Sequence, residues 1–107
     1  MNVELTVRHY EASERVKTYA VEEVEKFIKL HERIVNCKIL LERTKEGDMA
    51  EINLHIAGKL LIATETSDDM LKSIDQAVQK MERQLKKFKA KRYTNARSAN
   101  SRQDIQG

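Results

Sequence analysis

VNCKILLERTKEGDMAEINLHI, residues 35–56, decides the fold: Val35, Cys37, Ile39 and Leu41 recur at every second position, and Ala50, Ile52, Leu54 and Ile56 resume that period. Between them, Thr44 to Asp48 reads as a turn containing Gly47. The spacing predicts an antiparallel hairpin with one buried face. Downstream, Gly58-Lys59 interrupts the pattern before Leu60, Ile62 and Thr64 alternate with Leu61, Ala63 and Glu65, which extends the hairpin into a meander. Upstream, Val3, Leu5 and Val7 alternate with Asn2, Glu4, Thr6 and Arg8 and predict another half-buried strand.

Helical spacing fills the remainder. Ser13 is placed to cap a helix whose apolar side is Val16, Ala20, Val24 and Phe27, ending near Leu30. Ser67 is expected to cap a second helix, with Asp68 and Asp69 in its positive first turn and Leu71, Ile74, Val78, Met81, Leu85 and Phe88 along one side. The order β-α-β-β-β-α predicts an α+β fold: a four-stranded sheet with both helices packed on one face, resembling double-stranded RNA-binding-domain-like folds. The other sheet face would be wet, carrying Thr6, Arg8, Lys38, Asn53 and His55. A true double-stranded RNA-binding domain has its basic motif at the start of the last helix, where this chain is acidic.

With 107 residues, no proline and three glycines, a single domain over residues 1–92 is expected, followed by a flexible polar and basic tail over 93–107. The longest apolar run, Leu60 to Ala63, is far short of the roughly 20 residues that cross a bilayer, so no membrane partner is expected. The lone Cys37 forbids an internal disulfide, and the start of the chain shows no leader pattern. A cytoplasmic location fits both. Cys37 falls on the apolar phase of its strand and should be buried and inert. His9, His31 and His55 are scattered without the close spacing of a zinc site, and no nucleophile, acid–base pair or phosphate-cradling loop stands out. Neither a metal, a cofactor nor an enzymatic activity is expected.

Charge is the informative feature. The net charge is only +3, yet from Lys80 onward nine basic residues face two acids, Glu82 and Asp104. At 100° per residue, Lys80, Arg83, Lys87 and Lys91 cluster roughly 125° from the apolar side of the second helix. Ser73, Gln76 and Gln84 share that sector, whereas Asp75 and Glu82 point elsewhere, so no acid of this helix interrupts the stripe. A helix of about 25 residues spans ~37 Å against ~20 Å for a six-residue strand, so its basic end should overhang the sheet. A polyanion such as folded RNA suits this surface, because the chain shows no central aromatic platform on a strand for stacking single-stranded bases. If four stripe residues neutralise phosphates, affinity should fall about a hundredfold between 50 and 200 mM salt. The plainer alternative is a solvated helix face.

The segment Ser67-Asp68-Asp69-Met70-Leu71-Lys72-Ser73-Ile74-Asp75, followed by Lys80-Met81-Glu82-Arg83-Gln84-Leu85-Lys86-Lys87-Phe88-Lys89, resembles the ribosome hibernation factor family, whose helix reads D-M-Y-A-A-I-D and then K-L-x-R-Q-L-x-K. Val7-Arg8-His9-Tyr10 and the helix after it are similar as well, so the resemblance spans about residues 1–92. Leu71, Lys72 and Ser73 depart from the family's Y-A-A. The resemblance implies a translation inhibitor that occupies the small-subunit decoding channel through rRNA contacts. There it would block mRNA and tRNA and preserve inactive ribosomes under stress or in stationary phase. It implies binding at Lys80, Arg83, Gln84, Lys86 and Lys87, and at Arg8 and Lys26; Lys89 and Lys91 continue the basic run and complete the set. Implied partners are the small ribosomal subunit, its rRNA and a separate ribosome-dimerising factor, with the free chain a monomer. The alternative reading is a protein-interaction or dimerisation module using the Leu71 to Phe88 seam or the basic stripe.

Overall fold

The two-residue period at the start of the chain becomes strand β1 (Asn2–Arg8), and the capping serine starts helix α1 (Glu14–Ile28), where the Val16 amide donates to Ser13 Oγ at 3.2 Å. Strands β2 (Ile34–Thr44), β3 (Gly47–Ile56) and β4 (Lys59–Ser67) follow as a meander, and helix α2 (Met70–Thr94) completes the chain. This computed structural model describes residues 2–29, 31 and 33–94, without the side chains of Asn2, Phe27 and residues 89–94. The expected helix end at Leu30, the core role of Phe27, the side chains of Lys89 and Lys91, and most of the 93–107 tail therefore lie outside the described residues.

Strand order in the sheet is β1-β2-β3-β4, with β1 parallel to β2 and the other neighbours antiparallel. The parallel pair is made possible by α1, which carries the chain back across the sheet. The β3–β4 turn is two residues, Ala57 and Gly58, with φ of 48° and 77°; positive φ at both is the pairing that suits the right-handed twist of a hairpin. The turn thus falls one residue earlier than the Gly58-Lys59 break suggests.

Both helices cover one face. α2 lies over β3 and β4, and α1 lies over β1 and β2 and against α2. Cys37, Ile39, Leu41, Ala50, Ile52, Leu54, Ile56, Leu61 and Ala63 point into the core. Val35 does not: it is 63% exposed, because a bulge between Ile34 and Asn36 shifts the phase and buries Ile34 instead. On the opposite face, Thr6, Arg8, Lys38 and His55 are exposed and Asn53 is half-buried. Asn36 Oδ1 lies 2.9 Å from His55 Nδ1 there, holding the start of β2 to β3.

Ile74, Val78, Met81 and Leu85 are buried in the chain's own core, with Leu71 and Phe88 half-buried against it. The seam considered for dimerisation is therefore already covered by the sheet. The buried sector of α2 is turned by roughly 30° from the one expected, toward Ala77 and Ser73, both fully buried. Small side chains let the helix approach the sheet closely there. Ser73 Oγ donates to the Asp48 carbonyl at 2.6 Å, so its hydroxyl is satisfied inside the core rather than displayed in the basic sector. Asp69, not Ser67, caps α2, since its carbonyl accepts the Ser73 amide at 3.0 Å. Ser67 Oγ instead accepts the Asp69 amide at 3.3 Å in the turn leading into the helix.

The helices are tied to each other by Tyr19, whose hydroxyl donates to Asp75 Oδ1. That hydrogen bond, with lesser help from burial and the Asp75 charge, pushes the phenol up from its ordinary 10.0 to about 12. The protonated phenol is thus favoured by folding: the contribution is complete below pH 10 and is lost as pH climbs through about 12. Tyr19→Phe is expected to cost about 1 kcal/mol at neutral pH and to remove this part of the stability loss in that alkaline window, read by denaturant titration at a series of pH values. Equal alkaline slopes in the two proteins would exclude the bond.

Candidate nucleic-acid interface

A helix packed on a sheet by one side must present the rest, and α2 divides its basic residues by how near they lie to β4. Lys80 and Gln84 flank the buried sector. Gln84 Nε2 donates to the Ile62 carbonyl at 2.7 Å, and Lys80 Nζ to the Thr64 carbonyl at 3.4 Å, with Glu65 Oε2 at 3.6 Å. Both side chains reach outward-facing carbonyls of the last strand. The expected acid-free stripe is accordingly acid-free only along the helix: Glu65, on the inward phase of β4, supplies a counter-charge from outside it.

Arg83, Lys86 and Lys87 stand farther round the helix. All three are exposed, and none has an ion pair or side-chain hydrogen bond among the described residues. They form a compact cationic ridge, since positions three and four apart are neighbours on a helix surface. Its charges are exposed, and their attraction for a polyanion comes without breaking an ion pair among the described residues. Arg83, Lys86 and Lys87 fall on the stretch of α2 that packs on the sheet, and the helix continues past it to Thr94. Strands of nine to eleven residues are longer than the six assumed, and α2 stays packed through Leu85 and half-buried Phe88. The basic ridge is on the side of α2 turned away from the sheet.

The other two candidates are elsewhere. Arg8 is exposed on the helix-free face at the end of β1, in register with Glu42 of β2 and at the far edge from β4. Lys26 lies on α1 with Nζ 2.7 Å from Glu23 Oε2; that bond raises its pKa, with Glu22 and Glu82 adding to the effect. The fold thus gathers Lys80, Arg83, Gln84, Lys86 and Lys87 along one helix and leaves Arg8 and Lys26 apart.

Tyr10 is half-buried beneath the Arg43 guanidinium, 5.1 Å from the ring centre, and Arg43 in turn binds Asp48 at 2.8 Å. Tyr10 packs at the hairpin rather than offering an open stacking face. Burial pushes the Cys37 thiol up to about 12, so it carries essentially no thiolate at neutral pH. Among the described residues no cluster of His, Cys, Asp and Glu is arranged to hold a metal, and no helix is long and apolar enough to cross a membrane.

Comparison with known proteins gives this geometry relatives. Residues 3–93 match the family model described as Sigma 54 modulation protein / S30EA ribosomal protein. The chain is 28% identical over 102 residues to a ribosome hibernation promoting factor of Pseudomonas putida, covering 95% of this chain and all of that one. In three dimensions it is similar to the N-terminal domain of Thermus thermophilus Protein Y, with a TM-score of 0.73 and 26% identity over 82% of this chain and 99% of that one. A ribosomal subunit interface protein from Coxiella burnetii shares the fold at a TM-score of 0.75 and 24% identity, over 84% and 99% of the two chains.

Proposed function

The chain belongs to the Sigma 54 modulation protein / S30EA ribosomal protein family, and we propose that it is a ribosome hibernation factor, working in the cytoplasm without catalysis of its own. In this reading it lodges in the decoding channel of the small subunit, where contacts to rRNA exclude mRNA and tRNA and keep the particle inactive through stress or stationary phase. The observation that carries the reading is the ridge of Arg83, Lys86 and Lys87, exposed and unpaired among the described residues on a helix whose opposite side is fixed in the core. Such a ridge fits the phosphate backbone of folded rRNA, whose recognition rests on shape and charge more than on base stacking.

The test is co-sedimentation of the full chain with small subunits, coupled to translation in vitro. The chain should travel with the subunit, displace bound mRNA and lower protein synthesis in proportion to occupancy. Protein left at the top of the gradient at low salt would remove the proposal.

A further inference from the structure

The two edges of the sheet are treated differently. Along β4, Gln84 and Lys80 answer the outward carbonyls of Ile62 and Thr64, which blunts that edge against further pairing. Along β1, no strand and no side chain among the described residues does the same. The inward residues of β1 also remain only half-buried: Val3, Leu5 and Val7 sit in register with Cys37, Ile39 and Leu41, all of which are buried. An extended seven-residue edge with an apolar shelf on one side is a template for another strand.

We propose that this edge pairs with β1 of a second copy, antiparallel about a twofold axis at Thr6, giving a continuous eight-stranded sheet. Charge selects the occupant and the register. With Thr6 opposite Thr6, Glu4 of each copy faces Arg8 of the other, and on the inner side Leu5 faces Val7. Moving the axis to Leu5 sets Glu4 against Thr6 and Arg8 against Asn2, and moving it to Val7 sets Arg8 against Thr6; either way the opposite charges part. The complementarity continues into each sheet, because Lys38 is in register with Glu4 and Glu42 with Arg8. The outer face of the dimer then carries two rows reading Lys38, Glu4, Arg8, Glu42, with the sign alternating at each step across the twofold. Opposite charges facing across strands stabilise pairing and like charges oppose it.

His9, with φ of 51°, ends the strand just past Arg8 and limits the contact to β1. A contact this short buries less than the roughly 1,600 Å² of a standard interface, so the dimer is weak and the monomer is the dilute species.

Sedimentation equilibrium on the full chain tests it. The mass should rise from 12.4 kDa toward twice that as concentration approaches about 1 mM. Glu4→Arg or Arg8→Glu alone places like charges opposite each other twice per dimer and should raise the dissociation constant about tenfold or more. An equimolar mixture of the two variants restores Arg against Glu at both positions and should associate at least as well as the parent chain. Both positions are exposed, and a thermal melt of each variant confirms that it is folded. A constant monomer mass, a dimer indifferent to Glu4→Arg, or a mixture no better than either variant alone would overturn the proposal.

Discussion

Replacing Arg83, Lys86 and Lys87 together by glutamine is expected to weaken ribosome binding by about a hundredfold or more near 0.1 M salt, whereas Lys80→Gln alone costs much less than Arg83→Gln alone. Each phosphate neutralised contributes about 0.7 to 0.9 to the log–log salt slope, equivalent to about five- to eightfold in affinity at that ionic strength. Three such contacts account for the loss and should take about 2 to 3 out of the slope. Lys80 differs because its ammonium is already shared between the Thr64 carbonyl and Glu65, so binding rRNA would require it to leave partners that water and phosphate only replace. Glutamine has nearly the helix propensity of lysine and arginine, and the three positions are exposed with no ion pair or side-chain hydrogen bond among the described residues, so stability should stay within about 0.5 kcal/mol. Binding isotherms at several salt concentrations read both quantities. Equal losses from Lys80→Gln and Arg83→Gln, or a slope that does not change with the triple variant, would show that the ridge is not the contact.

That partition of the stripe was only half legible in the sequence. The period of Leu71, Ile74, Val78, Met81 and Leu85 identifies a buried side, and angular bookkeeping correctly finds the basic residues away from it. What it misjudges is the rotation. Ser73 and Ala77 carry little weight in a hydrophobic pattern, yet their small size lets α2 settle closest to the sheet on their side, which carries Lys80 and Gln84 to the β4 edge. Glu65 is a similar case. It shares the phase of Leu61 and Ala63, so its side chain faces the helix, but this becomes evident only once it is settled which phase of β4 is buried. Leu60 and Ile62 are as apolar as Leu61, and both are 46% exposed; composition alone could not choose between the two phases. The element order, by contrast, was fully readable, since period-2 and period-3.6 patterns alternate cleanly along a chain without proline. The one strand residue misread, Val35, sits at a bulge, where one extra residue reverses the phase of the positions before Asn36 and leaves Cys37, Ile39 and Leu41 as alternation predicts.

The largest loss of stability expected from a single small change is at Gly47, where the hairpin, the end of β4 and the first turn of α2 meet. Gly47 has φ of +137°, a conformation side chains rarely adopt, and a Cβ there would lie 2.5 Å from the carbonyl oxygen of Ser67. That oxygen belongs to backbone, so contact can be relieved only by parting the start of β3 from the end of β4. The neighbouring residues make parting costly. Ser73 Oγ donates to the Asp48 carbonyl, and Ser67 Oγ lies within hydrogen-bond distance of Ser73 Oγ at 2.7 Å; shifting either strand leaves a fully buried hydroxyl without its partner. Gly47→Ala should therefore cost about 2 to 4 kcal/mol, combining backbone strain with the broken junction, and lower the melting temperature by about 10 to 20 °C. Gly58 is the internal control: its φ is +77°, but nothing lies within 4 Å of an added Cβ, so Gly58→Ala should cost only about 1 to 2 kcal/mol for a left-handed residue. Denaturant unfolding of the two variants compares them directly, and equal losses would mean that the Gly47 contact with Ser67 carries no weight. Because this junction also sets where α2 leaves the sheet, Gly47→Ala protein that remains folded should hold the Arg83, Lys86 and Lys87 ridge at an altered angle. Its ribosome affinity should fall while its salt slope, which counts charges rather than their alignment, stays close to that of the parent chain.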